Sequence, residues 1–378
     1  MDREQALKVI IVGGGYAGLT AMIGLYHQHR EIQITLIDPS DDHVKLTRLH
    51  ESFRKPLDPF RLPFSLLEHR FGIRHIRSRV ALEPDDLVRY QNEKTLQVEG
   101  MTLPFDVLLL AHGSGLRTVG LENSTQTLTL DDFSRTPGPT LLNQSLPQDQ
   151  AAWITVVGSG ATGIQFLFEI DDYLRKTSSP WKLRLVDSGQ RPLAGFSPGV
   201  GDYVRARLEE RSIEYIPGHY FLQQNEQDVV LEDRLTYERH RRPSALTLYF
   251  SGKTSKTRLK TNWYGQIKVE GKTLTSIYSA GDCAQFGSPG SNSLTAQSAV
   301  RKGKLVAQNI AKHGRFFVWM KPYLHRDLGY VISMGKEDAI GWVGRPKNII
   351  AGAPALAIKE IVESQYDLLL AGTDTFAL

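Results

Sequence analysis

Cysteine is nearly absent from this sequence: Cys283 stands alone among 378 residues. A single thiol excludes an internal disulfide, a redox-active cysteine pair, a four-cysteine zinc site and a self-ligated iron–sulfur cluster. Any electron transfer must therefore rest on a bound cofactor. Long apolar runs are missing too. A membrane-crossing helix needs roughly 18–20 consecutive apolar residues, and the best stretches, around 106–110 and 349–358, fall short of that. The opening Met-Asp-Arg-Glu-Gln leads at once into an apolar strand and leaves no room for a signal peptide, so a cytoplasmic protein is expected. Charge of one sign is also lacking. Forty-five Lys+Arg against 41 Asp+Glu give +4, and no RNA- or DNA-binding motif accompanies them, which speaks against nucleic acid. The 11 histidines show no paired ligand spacing, and no metal is expected.

What is present is repetition. At 378 residues the chain has room for two or more domains. The apolar run Lys8–Val12 leads into Gly13-Gly14-Gly15-Tyr16-Ala17-Gly18 and then a helical pattern through Leu19, Ile23 and Leu25. Ile154–Val157 leads in the same way into Gly158-Ser159-Gly160-Ala161-Thr162-Gly163 and a second helical pattern. Strand, G-x-G-x-x-G, helix is the layout that binds a dinucleotide. The first glycine makes the turn, the second lets backbone approach a pyrophosphate, and the third lets helix and strand pack closely. Unpaired N–H groups at the helix start then face the phosphates. Each unit ends its second strand on a carboxylate, Asp38 and Asp187, placed to accept hydrogen bonds from a ribose diol. One copy alone is what any glycine turn in an α/β protein produces. Two complete copies point to two dinucleotide sites.

A third segment, Ile277–Ala284, carries Gly281-Asp282 at the end of an apolar strand, followed by a glycine- and serine-rich loop and a helical stretch from Thr295 to Ile310. With the two repeats, this resembles the flavoprotein reductases that have two dinucleotide-binding domains. The closest branches are the type II NADH:quinone oxidoreductases and the apoptosis-inducing-factor-like quinone reductases. The resemblance runs through Leu108–Ser114 as a domain crossover with Gly113, Leu46–His50 as the segment beside a flavin, and Val80 as the backbone position at an adenine. It continues through Leu328–Lys336 and Ala339–Trp342 as a C-terminal strand pair. It implies an α/β fold of two Rossmann-like domains with a small C-terminal α+β cap. It also implies FAD held by Gly13, Gly14, Gly15, Ala17, Gly18, Asp38, His50, Val80, Gly113, Gly281 and Asp282. NADH would lie on Gly158, Gly160, Gly163 and Asp187, with Gln165 near the nicotinamide, where relatives commonly carry Glu. Thr295, Ala296 and Gln297 resemble half of a quinone-side motif, with Arg301 where Gln is usual. The implied reaction passes electrons from NADH through flavin to a quinone-like acceptor. A protein acceptor and a non-enzymatic FAD-binding protein are the alternatives. Lacking paired cysteines, the chain is outside the disulfide-reductase and sulfide:quinone oxidoreductase branches.

Asp187 favours NADH, because a carboxylate repels a 2′-phosphate, while Arg184 and Arg191 flank it and leave NADPH open. The basic run Arg234–Arg242 reads as a solvated loop, with an anionic membrane surface or a nucleotide phosphate as the alternatives, and 136–147, with three prolines, as a linker. Pro354–Leu370 has helical, amphipathic spacing. It suits packing on its own domain, a second subunit of a homodimer, or peripheral contact with the inner face of a membrane. The expected layout is an FAD domain split over 1–125 and 270–315, an NAD(P)H domain over 126–269, and a cap over 316–378.

Overall fold

The computed structural model describes residues 6–28, 31–80, 84–116, 126–147, 150–254, 258–315, 318–325 and 327–376. The expected boundary at 125 falls on 117–125, outside the described residues. Two parallel sheets and a small antiparallel one organise the chain. It lays down β1 (Leu7–Val12), α1 (Tyr16–Tyr26), β2 (Ile32–Asp38), β3 (Arg74–Arg77) and β4 (Val107–Leu110). It then builds a second sheet from β5 (Thr127–Thr129), β6 (Trp153–Val157), β7 (Lys182–Val186), β8 (Glu214–Ile216) and β9 (Leu246–Tyr249), with α2 (Ala161–Thr177) after β6. It returns with β10 (Gln266–Val269), β11 (Lys272–Ser279) and α3 (Ala296–Ile310). It closes with β12 (Gly329–Ser333), β13 (Ala339–Val343), β14 (Ile349–Ala351) and α4 (Ala353–Leu370).

The first sheet runs β10-β11-β4-β1-β2-β3 and the second β5-β9-β6-β7-β8. Every pairing is parallel except β10 with β11. Strands covered on both faces need nearly uninterrupted apolar sequence, which Val107–Leu110 provides throughout and Ile154–Val157 with the one exception of buried Thr155. The first sheet includes β10, on the near side of the boundary expected at 270. Helices α1 and α3 pack together on one face, and glycine sets how closely: a Cβ on Gly303 would fall on the Ala17 carbonyl oxygen.

Two local expectations are corrected. The stretch after Thr136 is no extended linker. Pro137 and Pro139 start a helix, Gly138–Ser145, whose first turn needs no proline N–H. The basic run is a loop only in its first part, the turn over 234–238. Arg239–Pro243 is the third strand of a meander with His219–Gln224 and Asp228–Asp233, and Arg239 and Arg241 pair across to Glu232 and Asp228.

Candidate nucleotide and electron-transfer site

The two glycine turns repeat each other bond for bond. Gly13 N–H donates to the Ile37 carbonyl at 2.8 Å, and Gly158 N–H to that of Val186 at 2.9 Å. Gly14 N–H donates to Asp38 Oδ2 at 2.7 Å, and Ser159 N–H to Asp187 Oδ2 at 2.5 Å. The other carboxylate oxygens accept Ser40 N–H at 2.8 Å and Gly189 N–H at 2.6 Å. Each aspartate is thus fixed at a strand end by backbone N–H groups on both of its oxygens. The glycines are needed sterically. A Cβ on Gly13 would strike the Ala111 carbonyl and one on Gly158 that of Phe250. One on Gly18 or Gly163 would strike the carbonyl of the first glycine in its own motif.

The middle glycines differ in kind. Around Gly15 and Gly160 an added Cβ meets nothing within 4 Å. Each is the N-cap of its helix, with no side-chain cap. Open space in front of uncapped N–H groups suits an anion, and both G-x-G-x-x-G turns provide it. The residues present therefore fit two dinucleotides. On the first, Gly113 also faces open space, and Gly281 lies where its Cβ would meet that of Ala17 at 3.0 Å. Ser114 Oγ donates to Asp282 at 3.2 Å. Val80 follows β3 just past Ser78, whose N–H donates to the Asp38 carbonyl.

Arg184 is engaged away from Asp187. The Arg184 side chain is buried against Trp153 and donates to Glu214 at 2.6 Å and to the Pro243 carbonyl. Arg191 donates to the carbonyls of Ala194 and Phe196. Arg184 is structural, which corrects the expectation that it offsets Asp187, whereas the buried Nη1 of Arg191 has no hydrogen-bond partner among the described residues.

His50, Gln165 and Ser333 come together from three parts of the chain. His50 Nε2 lies 3.0 Å from Ser333 Oγ and 3.3 Å from Gln165 Nε2, and Gln165 also donates to Ser333 at 3.2 Å. With an amide donor on Nε2 the imidazole is neutral, and burial depresses its pKa well below 6.5. Thr295 caps α3, its Oγ1 accepting Ser298 N–H at 3.1 Å, and Ala296 and Gln297 form the first turn. Gln165 is bonded to His50 and Ser333, and to no residue of 295–297. Cys283 is fully buried, its thiol set against the carbonyls of Leu110 and Ala280. That makes it a packing residue.

Four residues were missed. Lys302 is buried beneath the Gly281–Asp282 turn, its Nζ donating to the Gly281 carbonyl at 3.3 Å, and burial lowers its pKa to about 8. A lysine on a helix face shared with Ala299, Val306 and Ile310 was the available signal. Glu51 is buried among Arg48, Lys55 and Lys359, and these cations balance its carboxylate together with those of Glu360 and Glu363 beside it. Ser333 completes the His50 cluster. Tyr366, on α4, lies against Tyr16 with ring centroids 4.6 Å apart, and its hydroxyl is 3.0 Å from His43 Nε2.

His43 sits between that tyrosine and the first turn, with Nδ1 at 3.0 Å from the Gly14 carbonyl. Nδ1–H donates there and Nε2 accepts from Tyr366. Burial depresses the His43 pKa to about 4. The unfolded chain then binds a proton that the folded chain refuses, so this histidine costs stability as pH falls from 6.5 towards 4. Glu169, raised to about 7 by burial despite Arg54 at 3.1 Å, acts oppositely between 7 and 4.5. We expect the urea midpoint of wild type to fall further between pH 7.5 and 5 than that of His43→Gln, which keeps a donor and an acceptor. Equal falls would remove His43 as the titrating group, because Glu169 is common to both proteins.

Comparison with known proteins places this geometry. Residues 7–303 match the pyridine nucleotide-disulphide oxidoreductase family. The type II NADH:quinone oxidoreductase of Staphylococcus aureus is 24% identical over 98% of this chain and 97% of its own. Among solved structures, NDH2 from Plasmodium falciparum in complex with NADH superposes with a TM-score of 0.76 at 14% identity, covering 96% of this chain and 94% of that one. The sulfide:quinone oxidoreductase of Aquifex aeolicus gives 0.76 at 18% identity over 98% and 93%.

Proposed function

The chain belongs to the pyridine nucleotide-disulphide oxidoreductase family, and from that membership we propose that it is an FAD-dependent NADH dehydrogenase with a quinone as electron acceptor. The observation that carries this reading is the doubled cradle, two identically bonded glycine turns each facing a fixed carboxylate. The lone buried thiol leaves the family's disulfide chemistry without its cysteine pair. The relatives named for NADH:quinone chemistry span nearly the whole chain.

In this reading FAD lies on Gly13–Gly18, Asp38, Val80, Gly113 and Gly281–Asp282, and NADH on Gly158–Gly163 and Asp187. Bound FAD would supply the two-electron chemistry between nucleotide and acceptor. The chain itself supplies orientation and charge. The start of α1 neutralises one pyrophosphate and the start of α2 the other. Asp282 holds the ribityl side, with Lys302 beneath its turn as a buried counter-charge. His50 and Gln165 present a neutral, hydrogen-bonded edge where the FAD half, the nucleotide helix α2 and the cap meet. Thr295 ties off its own helix, so Ala296 and Gln297 offer N–H groups and an amide on the acceptor side.

Attachment to a membrane surface, where a quinone dissolves, is the companion proposal. Its support is the orientation of α4. Lys359, Glu363 and Asp367 face inward to Glu51, Arg48 and Lys45. Ile361, Val362 and Leu368 are 60%, 42% and 45% exposed. No helix among the described residues is long and apolar enough to cross a bilayer, so contact would be peripheral.

The test is the visible spectrum under anaerobic conditions. NADH should bleach bound flavin, and a short-chain quinone should restore the colour. Gln297→Ala should slow restoration while leaving bleaching unchanged. Flavin that neither nicotinamide nucleotide bleaches would sink the dehydrogenase, and reoxidation by an iron–sulfur protein but not by quinones would replace the acceptor.

A further inference from the structure

The three-stranded meander between β8 and β9 ends in a turn, Asp233–Glu238, that nothing in the proposed reaction uses. Its base is stitched to the loop that carries Asp187. His219 N–H donates to the Asp187 carbonyl at 3.0 Å, Gly218 N–H to Gly189 at 3.0 Å, and Arg234 N–H to Gly218 at 2.8 Å. Arg234 Nη1 then donates to the Ser188 carbonyl at 3.3 Å. The Arg234 guanidinium is therefore held one residue from the carboxylate that faces the ribose diol.

The turn is built rather than loose. Asp233 Oδ1 accepts the N–H groups of Leu235 at 2.7 Å and Thr236 at 2.9 Å, Tyr237 N–H donates to the Asp233 carbonyl at 2.9 Å, and Glu238 N–H meets Thr236 Oγ1 at 3.3 Å. Tyr237 sits at φ +60, a backbone region that side-chain-bearing residues rarely adopt. The result is a fixed turn that holds two large apolar side chains out of the core, with Leu235 78% and Tyr237 71% exposed. A flat aromatic and a guanidinium on the rim of a nucleotide cradle match an adenine face and a phosphate.

We propose that Arg234–Tyr237 is the outer wall of the adenosine subsite of the second cradle, with Tyr237 against the base and Arg234 beside the ribose 2′ position, so that the site admits a 2′-phosphate. This rests on the reading that a pyridine nucleotide lies along Gly158–Gly163 and Asp187. Asp187 repels a 2′-phosphate and Arg234 attracts it. Their balance makes the chain take NADPH beside NADH, a tolerance that Arg184 cannot supply because it is engaged elsewhere. Coenzyme choice thus lies on an exposed turn 47 residues beyond the acid it opposes.

The probes are ADP-ribose and 2′-phospho-ADP-ribose, titrated calorimetrically into the purified, flavin-loaded protein, so that binding is read without turnover. Arg234→Ala should weaken 2′-phospho-ADP-ribose by about tenfold and leave ADP-ribose within about twofold. Tyr237→Ala should weaken both alike, by about three- to tenfold. Both side chains are exposed, so the variants should fold as wild type does. Wild type that binds ADP-ribose while Arg234→Ala leaves the phosphorylated probe unchanged would overturn the role of the turn and spare the cradle. Wild type that binds neither probe would overturn the coenzyme reading itself, and the turn's role with it.

Discussion

Gly160→Asp is expected to give a protein that folds, keeps its flavin and is no longer bleached by NADH. Gly160 sits at φ −73 and ψ 179, ordinary extended backbone for any residue, and an added Cβ meets nothing within 4 Å. Aspartate is a preferred N-cap. Its side chain can accept an N–H of the first turn of α2, which now has no side-chain cap, and helix stability should rise by about 1 kcal/mol. The same side chain fills the cradle, consumes a donor meant for the pyrophosphate and adds a negative charge. Two unit charges 4 Å apart at an effective dielectric of 20 repel by about 4 kcal/mol, which is a loss of affinity of nearly a thousandfold. Gly15→Asp is the matched experiment, since Gly15 has the same open surroundings and the same uncapped helix. There the loss falls on FAD, and the purified protein should be colourless. Flavin-to-protein ratio and an NADH titration read the pair. A Gly160→Asp protein that NADH bleaches at the wild-type concentration would mean that the second cradle holds no coenzyme.

The glycine turns were legible because what they need is a backbone property. A glycine whose Cβ would strike a carbonyl is written into the sequence whatever the surroundings, and a carboxylate at the end of the next strand completes the signature. Arg184 was misjudged by distance along the chain. It lies within β7, three residues before Asp187, and side chains alternate faces along a strand, so the period of two already turned it away from the rim. The linker was misjudged by composition, since prolines that end one element also begin the next. Helix α4 was read correctly as amphipathic, but its sidedness was not readable. Charged residues face inward because Lys45, Arg48 and Glu51, some 300 residues earlier, are there to receive them. Pairings of that separation leave no local trace. Arg234 was visible within the basic run, but its place was not, since only the meander brings it to Ser188.

Glu51→Ala is expected to be the most damaging single change away from the glycines. The carboxylate is buried and lies within 2.6 Å of Lys55, 3.1 Å of Arg48, 3.4 Å of Arg54 and 3.9 Å of Lys359. Arg54 continues to Glu169 on α2, and Arg48 and Lys359 continue to Glu363 on α4. One carboxylate therefore joins the segment beside the first cradle, the helix of the second and the C-terminal helix. Replacing such a group leaves partly buried cations short of a partner, at a cost of about 3–5 kcal/mol. Its pH signature is specific. The surrounding cations hold the Glu51 pKa at about 2 against an ordinary 4.5. The folded chain thus sheds a proton that the unfolded chain keeps, and the stabilisation is present above pH 4.5 and lost as pH falls towards 2. Wild type and Glu51→Ala should differ most in urea at pH 7 and converge as pH falls towards 2. Hydrogen exchange should locate the damage first in Ala353–Leu370, which loses the anchor of Lys359 while the β1–β2 core is unaffected. Equal stability at pH 7 would show that Arg48 and Glu363 alone hold α4 in place, and that the charged junction does not couple the two nucleotide halves to the cap.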